Sequence, residues 1–366
     1  MPAIITHDTF AQEIYAKLNA LIGQSEEEKN AFLLGSQGPD VFFYGSINPR
    51  IPQANSFGKK LHRNHCSEFI SALALGVPNI KESEHQQDED YLASAQDIAR
   101  AYALGYLMHF ELDSKVHPFV FSQQYAYCDA GEPGLDRSSQ SEVHVEIECE
   151  LDELVLTIKR GETIATFDPS SQILKASNRT LDIISALYEF ALPISHKEES
   201  AKSMYRLSVK AYRQTQRWLY STTGVKRDLI GRFERIFRQH SYLRAMIHKN
   251  VRIYQSIFDN HEHYAWDDPW TKGKTHNESF WDLYNLAKLD GMKHLHRYAE
   301  SIDSLVAKKE SLTRPETIEE AKADVRNIFR TTFEITGNLN FYGCNESIID
   351  PETGKPKEQF QTSSPN

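Results

Sequence analysis

The chain has no long apolar run: nowhere do about eighteen apolar residues follow one another, which excludes an ordinary membrane-spanning helix. Cysteine is scarce. Cys66, Cys128, Cys149 and Cys344 are scattered without paired spacing, so a disulfide framework is not expected and reduced thiols in a cytoplasm are. The start, "MPAIITHDTFAQEIYAKL", lacks a basic leader followed by a pure apolar stretch; no signal peptide is read there, and the expected location is cytoplasmic. Basic residues are in deficit, 41 against 51 acids, for a net charge of −10. That balance argues against a dedicated polyanion binder, so no stable nucleic-acid partner is expected. A phosphate-bearing substrate stays open, because a bound cation can supply local positive charge. Neither a Ser–His–Asp signature, nor a P-loop, nor an internal repeat is visible. The oligomeric state is not legible.

What is present is helical periodicity in a chain of 366 residues with 40% hydrophobic and 25% charged side chains, an ordinary globular composition. Residues 7–22 predict an amphipathic helix, with Phe10, Ile14, Leu18 and Leu21 at three- and four-residue steps. "QSEEEKNAFLLGSQGPD" predicts a second, with acids in its first turn and a stop before Gly35 and Gly38-Pro39. "FGKKLHRNHCSEFISALALG" predicts a third, ending at Gly76. Residues 92–116 predict the longest apolar helix of this half, ending near His117 because a residue before proline disfavours helical geometry. "SEVHVEIECELDELVLTI" is read as a helix, although 143–149 alternate like a strand, and "GETIATF" as a short hairpin arm. Further helices are expected at about 181–194, 197–221, 225–248, 279–306 and 315–335. The fold class is therefore mostly α. Residues 1–160 are expected to form one unit and 178–340 a second helical layer, with 345–366 a flexible tail.

Chemistry enters with "YLMHFELDSKVHPFVF", where His109, Asp113 and His117 stand four residues apart on one helix face. Five forward His–carboxylate pairs at i,i+4 occur: His85–Glu89, His109–Asp113, His144–Glu148, His263–Asp267 and His296–Glu300. Chance gives roughly two in a chain of this composition, so surroundings must decide. His109 follows the apolar run "AYALGYLM", and His144–Glu148 precede "LDELVL". A carboxylate in such company is costly unless paired or metal-bound. The pairs at 85 and 296 lie in charged stretches and read as surface decoration. A buried hydrogen-bonded ladder competes evenly with a metal site for the 109–117 group taken alone.

Asp40, fixed in the turn of "LLGSQGPDVFFYG", adds an immobilised carboxylate suited to ligation or to general-base work. His7 and His62 complete a His/Asp/Glu set spread over four helices and one loop. Nitrogen and carboxylate donors without thiolates suit zinc, manganese or iron, and zinc best for a redox-silent hydrolase. Phe42, Phe43, Tyr44, Phe119, Phe121 and Tyr125 flank these positions, and such rings are more often core than pocket. Trp266 and Trp270 could cap the site, though packing is the default for their loop, His261 and His263 included.

"THDTF", "GSQGPDVFFY", "FGKKLH", "HFELDSKVHPF" and "HVEIECELD", in this order and spacing, resemble the zinc-dependent phospholipase C family, an all-helical fold related to the single-strand-specific zinc nucleases. The resemblance covers about residues 4–155. It implies a multi-helix bundle with two or three zinc ions: one held by Asp40, His62, His109 and Asp113, a second by His117, His144 and Glu148, and a third near His7 sharing Asp113. His65, three residues after His62, is the competing ligand, and His62 is preferred for its preceding glycine pattern. It further implies hydrolysis of a phosphoester or phospholipid by a metal-activated water, with Asp40 accepting or holding the proton. Three departures stand out. Secreted members use a free amino terminus as a chelator, which here would require trimming to Pro2. Their gap between the residues matching Asp113 and His117 is longer. The C-terminal half has no counterpart in the minimal secreted enzyme. The alternatives are a zinc nuclease or other phosphodiesterase, a non-catalytic helical protein with structural metals, and, less favoured, an HD-type phosphohydrolase suggested by His7-Asp8.

Overall fold

A computed structural model of the chain describes residues 3–82, 93–131, 135–197, 203–237 and 241–348. His85–Glu89, Met1, Pro2 and the stretch 349–366 of the expected tail lie outside those residues. The fold is mostly α, as its periodicity predicts. In chain order come α1 (Ile4–Ile22), α2 (Glu26–Gly35), a 3-10 helix (Gly38–Ile47), α3 (Ala54–Arg63), α4 (Cys66–Gly76), α5 (Ala95–Cys128) and α6 (Gln140–Val155). Then follow α7 (Pro169–Gln172), α8 (Asn178–Ser195), α9 (Met204–Leu219), α10 (Val225–Phe237), α11 (Tyr242–Ala245), α12 (Phe280–Ser311) and α13 (Ile318–Thr336). Among the described residues, the strands are one two-residue pair, β1 (Trp266–Asp267) antiparallel to β2 (Thr275–His276). No described helix is long and apolar enough to cross a membrane. All four cysteines are buried and unbridged.

Helix α5 is the central post. It starts at a capping box in which Ser94 and Asp97 satisfy each other's backbone N–H groups. Small residues along it let neighbours come close. A Cβ on Gly105 would fall 2.0 Å from the Phe32 carbonyl oxygen, and one on Gly35 2.4 Å from that of Tyr102. The α2–α5 crossing is thus a glycine-on-glycine contact. Helix α12 packs along another side of α5, α8 rests on α4 and α5, and α9 covers the 3-10 helix. Burial of α5 is nearly complete from Ala101 to Ser114. That explains why its hydrophobic periodicity is weak while its helicity is not.

Three expected boundaries are corrected. Helix α5 does not end at His117 but runs through Pro118 to Cys128. Proline there removes one backbone hydrogen bond, a cost of about 3 kcal/mol, which dense packing on both sides offsets: Phe119 and Val120 are fully buried. The third expected helix is two, α3 and α4, broken where His65 takes φ 55° and Glu346 accepts the N–H groups of His65 and Cys66 at 2.6 and 2.7 Å. An acid 280 residues away in sequence thus caps α4, a long-range partner that local pattern cannot reveal. The expected 225–248 helix is likewise interrupted, at Ser241, whose φ of −103° and ψ of 67° are not helical, so that α10 and α11 are separate; residues 238–240 lie outside the described ones. "GETIATF" forms turns rather than a hairpin arm, while 143–149 are helical as read.

Candidate metal centre

Each candidate side chain is delivered by an element with its own reason to be there. His7 sits in the first turns of α1, whose N-terminus is held by Asp152: the carboxylate accepts Ile5 N–H at 3.2 Å, Thr6 N–H at 2.7 Å and the Thr6 hydroxyl at 2.6 Å. Asp40 lies in the first turn of the 3-10 helix, after Gly38 at φ +49°. Any side chain at 38 would strike His109, since a Cβ there falls 2.2 Å from Cδ2 of that ring. His62 ends α3, His109, Asp113 and His117 line one face of α5, and His144 and Glu148 line one face of α6. All eight are buried, none more than 6% exposed.

The eight converge. His62 Nε2 lies 2.9 Å from Asp40 Oδ1, and His109 Nε2 3.2 Å from Asp113 Oδ2. His7 Nε2 lies 3.1 Å from Asp113 Oδ1, and His117 Nδ1 3.5 Å from Asp113 Oδ2. Glu148 Oε1 lies 3.5 Å from His117 Nε2 and 3.3 Å from His144 Nε2. Possible donor sets are His62–His109–Asp113, His117–His144–Glu148 and His7–Asp40–His109, each with its donor atoms within 4.8 Å of one another. Asp113 reaches toward all three parts.

The outer hydrogen bonds fix which ring nitrogen faces inward. His62 Nδ1 is 2.7 Å from the Gly58 carbonyl oxygen, and His109 Nδ1 is 2.9 Å from that of Ser36. His117 Nδ1 is 2.6 Å from the Phe341 carbonyl oxygen, and His144 Nδ1 is 2.7 Å from Gln124 Oε1. Because only an N–H can face those oxygens, each ring in its neutral form turns the Nε2 lone pair inward, the usual arrangement of metal-binding histidines. His109 Nε2, His144 Nε2, Asp113 Oδ2 and Glu148 Oε2 are buried without a hydrogen-bond partner. Lone pairs facing carboxylates repel unless a cation or proton stands between them. Donor atoms of a tetrahedral ion with bonds of about 2.0–2.1 Å sit about 3.4 Å apart, and the paired donors here lie 2.9–3.5 Å apart. The residues fit zinc.

The electrostatics of these side chains agree. Burial opposes charge on His117, yet Asp113, Glu148 and the Phe341 carbonyl outweigh it and raise the imidazole to about 9. Burial likewise opposes charge on Glu148, but His144 and His117 hold it at about 2. Asp40 stays below the ordinary carboxylate range despite burial, helped by His62 and His109. His117 therefore carries at pH 7 a proton that a metal must displace. Zinc uptake by the apo-protein should release at least one proton near pH 7 and tighten as pH rises toward 9, measured by calorimetry in buffers of different ionisation enthalpy. Uptake without proton release would contradict this.

Aromatic rings pack on the cluster. Phe43 lies 5.0 Å from the His62 ring and Phe121 5.1 Å from that of His144, whereas Phe42, Tyr44 and Phe119 pack in the core and Tyr125 carries the Arg137 guanidinium at 4.3 Å. The segment after α13 straps the other side: Phe341 N–H bonds to the His62 carbonyl oxygen at 3.2 Å, and the Phe341 ring lies 5.3 Å from both His62 and His109. Tyr342 lies 5.6 Å from His117, and Trp270 Nε1 donates to the Tyr342 carbonyl at 2.8 Å. Trp270 thus reaches the site through Tyr342, while Trp266 stacks on His276 in the β pair. His65, the competitor of His62, points outward, its side chain 55% exposed beside Glu68. His62→Ala should lower zinc content and His65→Ala should not, as measured by elemental analysis; the reverse outcome would move the ligand to His65. His296 and Glu300 are both exposed on α12, and His263, at φ 56°, contacts Asn277 and Asp282 rather than the cavity.

Gln124 and the Phe341 carbonyl escaped the sequence reading. Gln124 stands seven residues after His117 on the same helix, a spacing that could have revealed it. Phe341 is 224 residues from the histidine it serves, and no local signal marks it.

The family model described as zinc dependent phospholipase C matches residues 6–189, half of the chain. The chain belongs to the zinc-dependent phospholipase C family. The match carries the family beyond the segment 4–155 that resembles it by motif, through α7 and into α8. No curated protein and no solved structure matches the chain. The strap at 338–345 lies outside the family match, yet it borders the family's histidine cluster.

Proposed function

We propose that the protein is a zinc-dependent phosphoester hydrolase of phospholipase C type. The observation that supports this best is the meeting of two imidazole–carboxylate groups in one buried cavity, joined through Asp113, in a chain of that family. Zinc bound there would lower the pKa of a water to about 7 and neutralise charge on phosphoryl oxygens. His62, His109, Asp113 and Asp40 would hold one ion, His117, His144 and Glu148 another, and His7 with Asp113 a third. Asp40, ionised and beside His62, would accept a hydrogen bond from the attacking water and align it. Asp113 would keep the donor sets in register, and the buffered imidazole orientations would spare the site reorganisation during reaction. Residues 1–160 would act as the ligand-bearing unit, with 178–340 a second layer that walls it.

Elemental analysis of purified protein, followed by assays on water-soluble phosphomonoesters, phosphodiesters and a short-chain phospholipid, tests the reading. Two or three zinc ions per chain are expected, with diester hydrolysis that disappears on chelation and returns with zinc. Zinc-loaded protein inert toward every diester would leave only a structural role for the ions.

A further inference from the structure

Helix α10 is built inside out. Its packed side is polar: Arg227, 8% exposed, pairs with Glu146 at 2.6 Å, and Glu234, 6% exposed, accepts the N–H groups of Leu243 and Arg244 at 2.9 and 3.0 Å. Its outer side carries Val225, Leu229, Phe233 and Ile236, exposed by 59, 59, 64 and 72%. Steps of four, four and three residues place these four on one stripe, opposite Arg227 and Glu234. Scattered exposed apolar side chains are ordinary, but a continuous stripe marks an interaction surface. None of the four is part of the buried hydrophobic core.

Charge indicates what covers it. Residues 202–252 hold thirteen Lys and Arg against two acids, Asp228 and Glu234, while the rest of the chain holds 28 against 49. Arg232 borders the stripe and Arg235 follows one step round; both are exposed, and Asp228 is the single exposed acid of the helix. An apolar ridge edged by cations matches a helix lying in a membrane interface. A symmetric pairing with a second copy would set Arg232 and Arg235 against their own images. A single-stranded nucleic acid would call for flat rings on which bases stack, and only Phe233 among the four is aromatic.

The position fits as well. Glu146, the partner of Arg227, and Glu142, which accepts the Ser241 N–H at 3.0 Å, bracket His144 on α6. The ridge is therefore carried on the helix that supplies His144 and Glu148 to the cavity.

We propose that α10 docks the protein onto lipid surfaces rich in anionic headgroups, with its apolar stripe entering the acyl boundary and Arg232 and Arg235 at headgroup level. The purpose assigned to this docking, presenting lipid phosphoesters to the site, rests on the hydrolase reading; the docking itself does not.

Co-sedimentation of the full chain with vesicles tests it. Vesicles of phosphatidylcholine with roughly 30 mol % phosphatidylserine should bind about tenfold more protein than pure phosphatidylcholine, with the difference shrinking in high salt. Leu229→Ser with Phe233→Ser should abolish binding at all salt concentrations, and Arg232→Ser with Arg235→Ser should abolish the preference for the anionic lipid. Circular dichroism and hydrolysis of a water-soluble diester should be unchanged in both variants, because none of the four residues touches the cavity. Equal vesicle binding by wild type and the Leu229/Phe233 variant overturns the proposal. So does a concentration-dependent dimer lost in that variant, or binding of a single-stranded oligonucleotide in place of vesicles. Vesicle binding without any esterase activity would sink the hydrolase reading alone, whereas diester hydrolysis without vesicle binding would sink the docking alone.

Discussion

Asp113→Asn should yield a folded protein that holds less zinc and no longer hydrolyses phosphodiesters. Among the described residues, Asp113 is the one carboxylate within 3.5 Å of three imidazoles, those of His7, His109 and His117. Its charge stays ionised against complete burial because those three rings favour it, and its carboxyl is held well below the ordinary range. Asparagine keeps the shape and one oxygen but removes the charge, so neighbouring cations lose the group that screens them from each other. Loss of an outer-shell partner alone costs about 10–100-fold in metal affinity. A shared carboxylate should cost more than about a hundredfold in activity at limiting zinc. Zinc content by elemental analysis, diester turnover and the far-ultraviolet spectrum should be read on one sample. Full activity in this variant would remove the site from consideration.

Phe341→Ala should have the next largest effect, and on stability first. The ring is fully buried and meets Tyr106, Phe110, His62 and His109 at centroid distances of 5.3–5.7 Å. Truncating such a side chain costs about 3–5 kcal/mol through lost burial and the cavity left behind. The same residue supplies the carbonyl that orients His117, so loosening the strap should lower zinc affinity about 10–100-fold. Urea unfolding and competition with a fluorescent zinc chelator measure the two effects. Phe341→Leu, which keeps most of the volume, should recover much of both. An alanine variant that binds zinc and unfolds like wild type would show that the strap merely rests on the site.

Much of this protein was readable from local pattern. The helices α1, α2 and α6 follow from apolar spacing and acidic first turns, and the His109–Asp113–His117 ladder follows from four-residue steps alone. Surroundings separated the pairs correctly where structure can judge: His109–Asp113 and His144–Glu148 are buried, His296–Glu300 exposed. The errors share one cause. Pro118 reads as a helix end, and the sequence around His65 as continuous helix, because propensity rules carry no information about distant partners. Packing around α5 outweighs the proline, and Glu346 stabilises a break that no neighbour in sequence requires.

By itself, the order of residues determined that the chain is helical, that imidazoles and acids would share helix faces, and which family its first half belongs to. Those properties depend on spacings of three to seven residues, which a helix converts directly into direction. Tertiary structure alone decided that α1, the 3-10 helix, α3, α5 and α6 bring their donors to one cavity, and that the C-terminal strap closes over it. It also decided that α10 turns its salt bridges inward and its apolar side chains outward. Such pairings join residues hundreds of positions apart, and they are fixed by burial and charge compensation rather than by any local preference of the backbone.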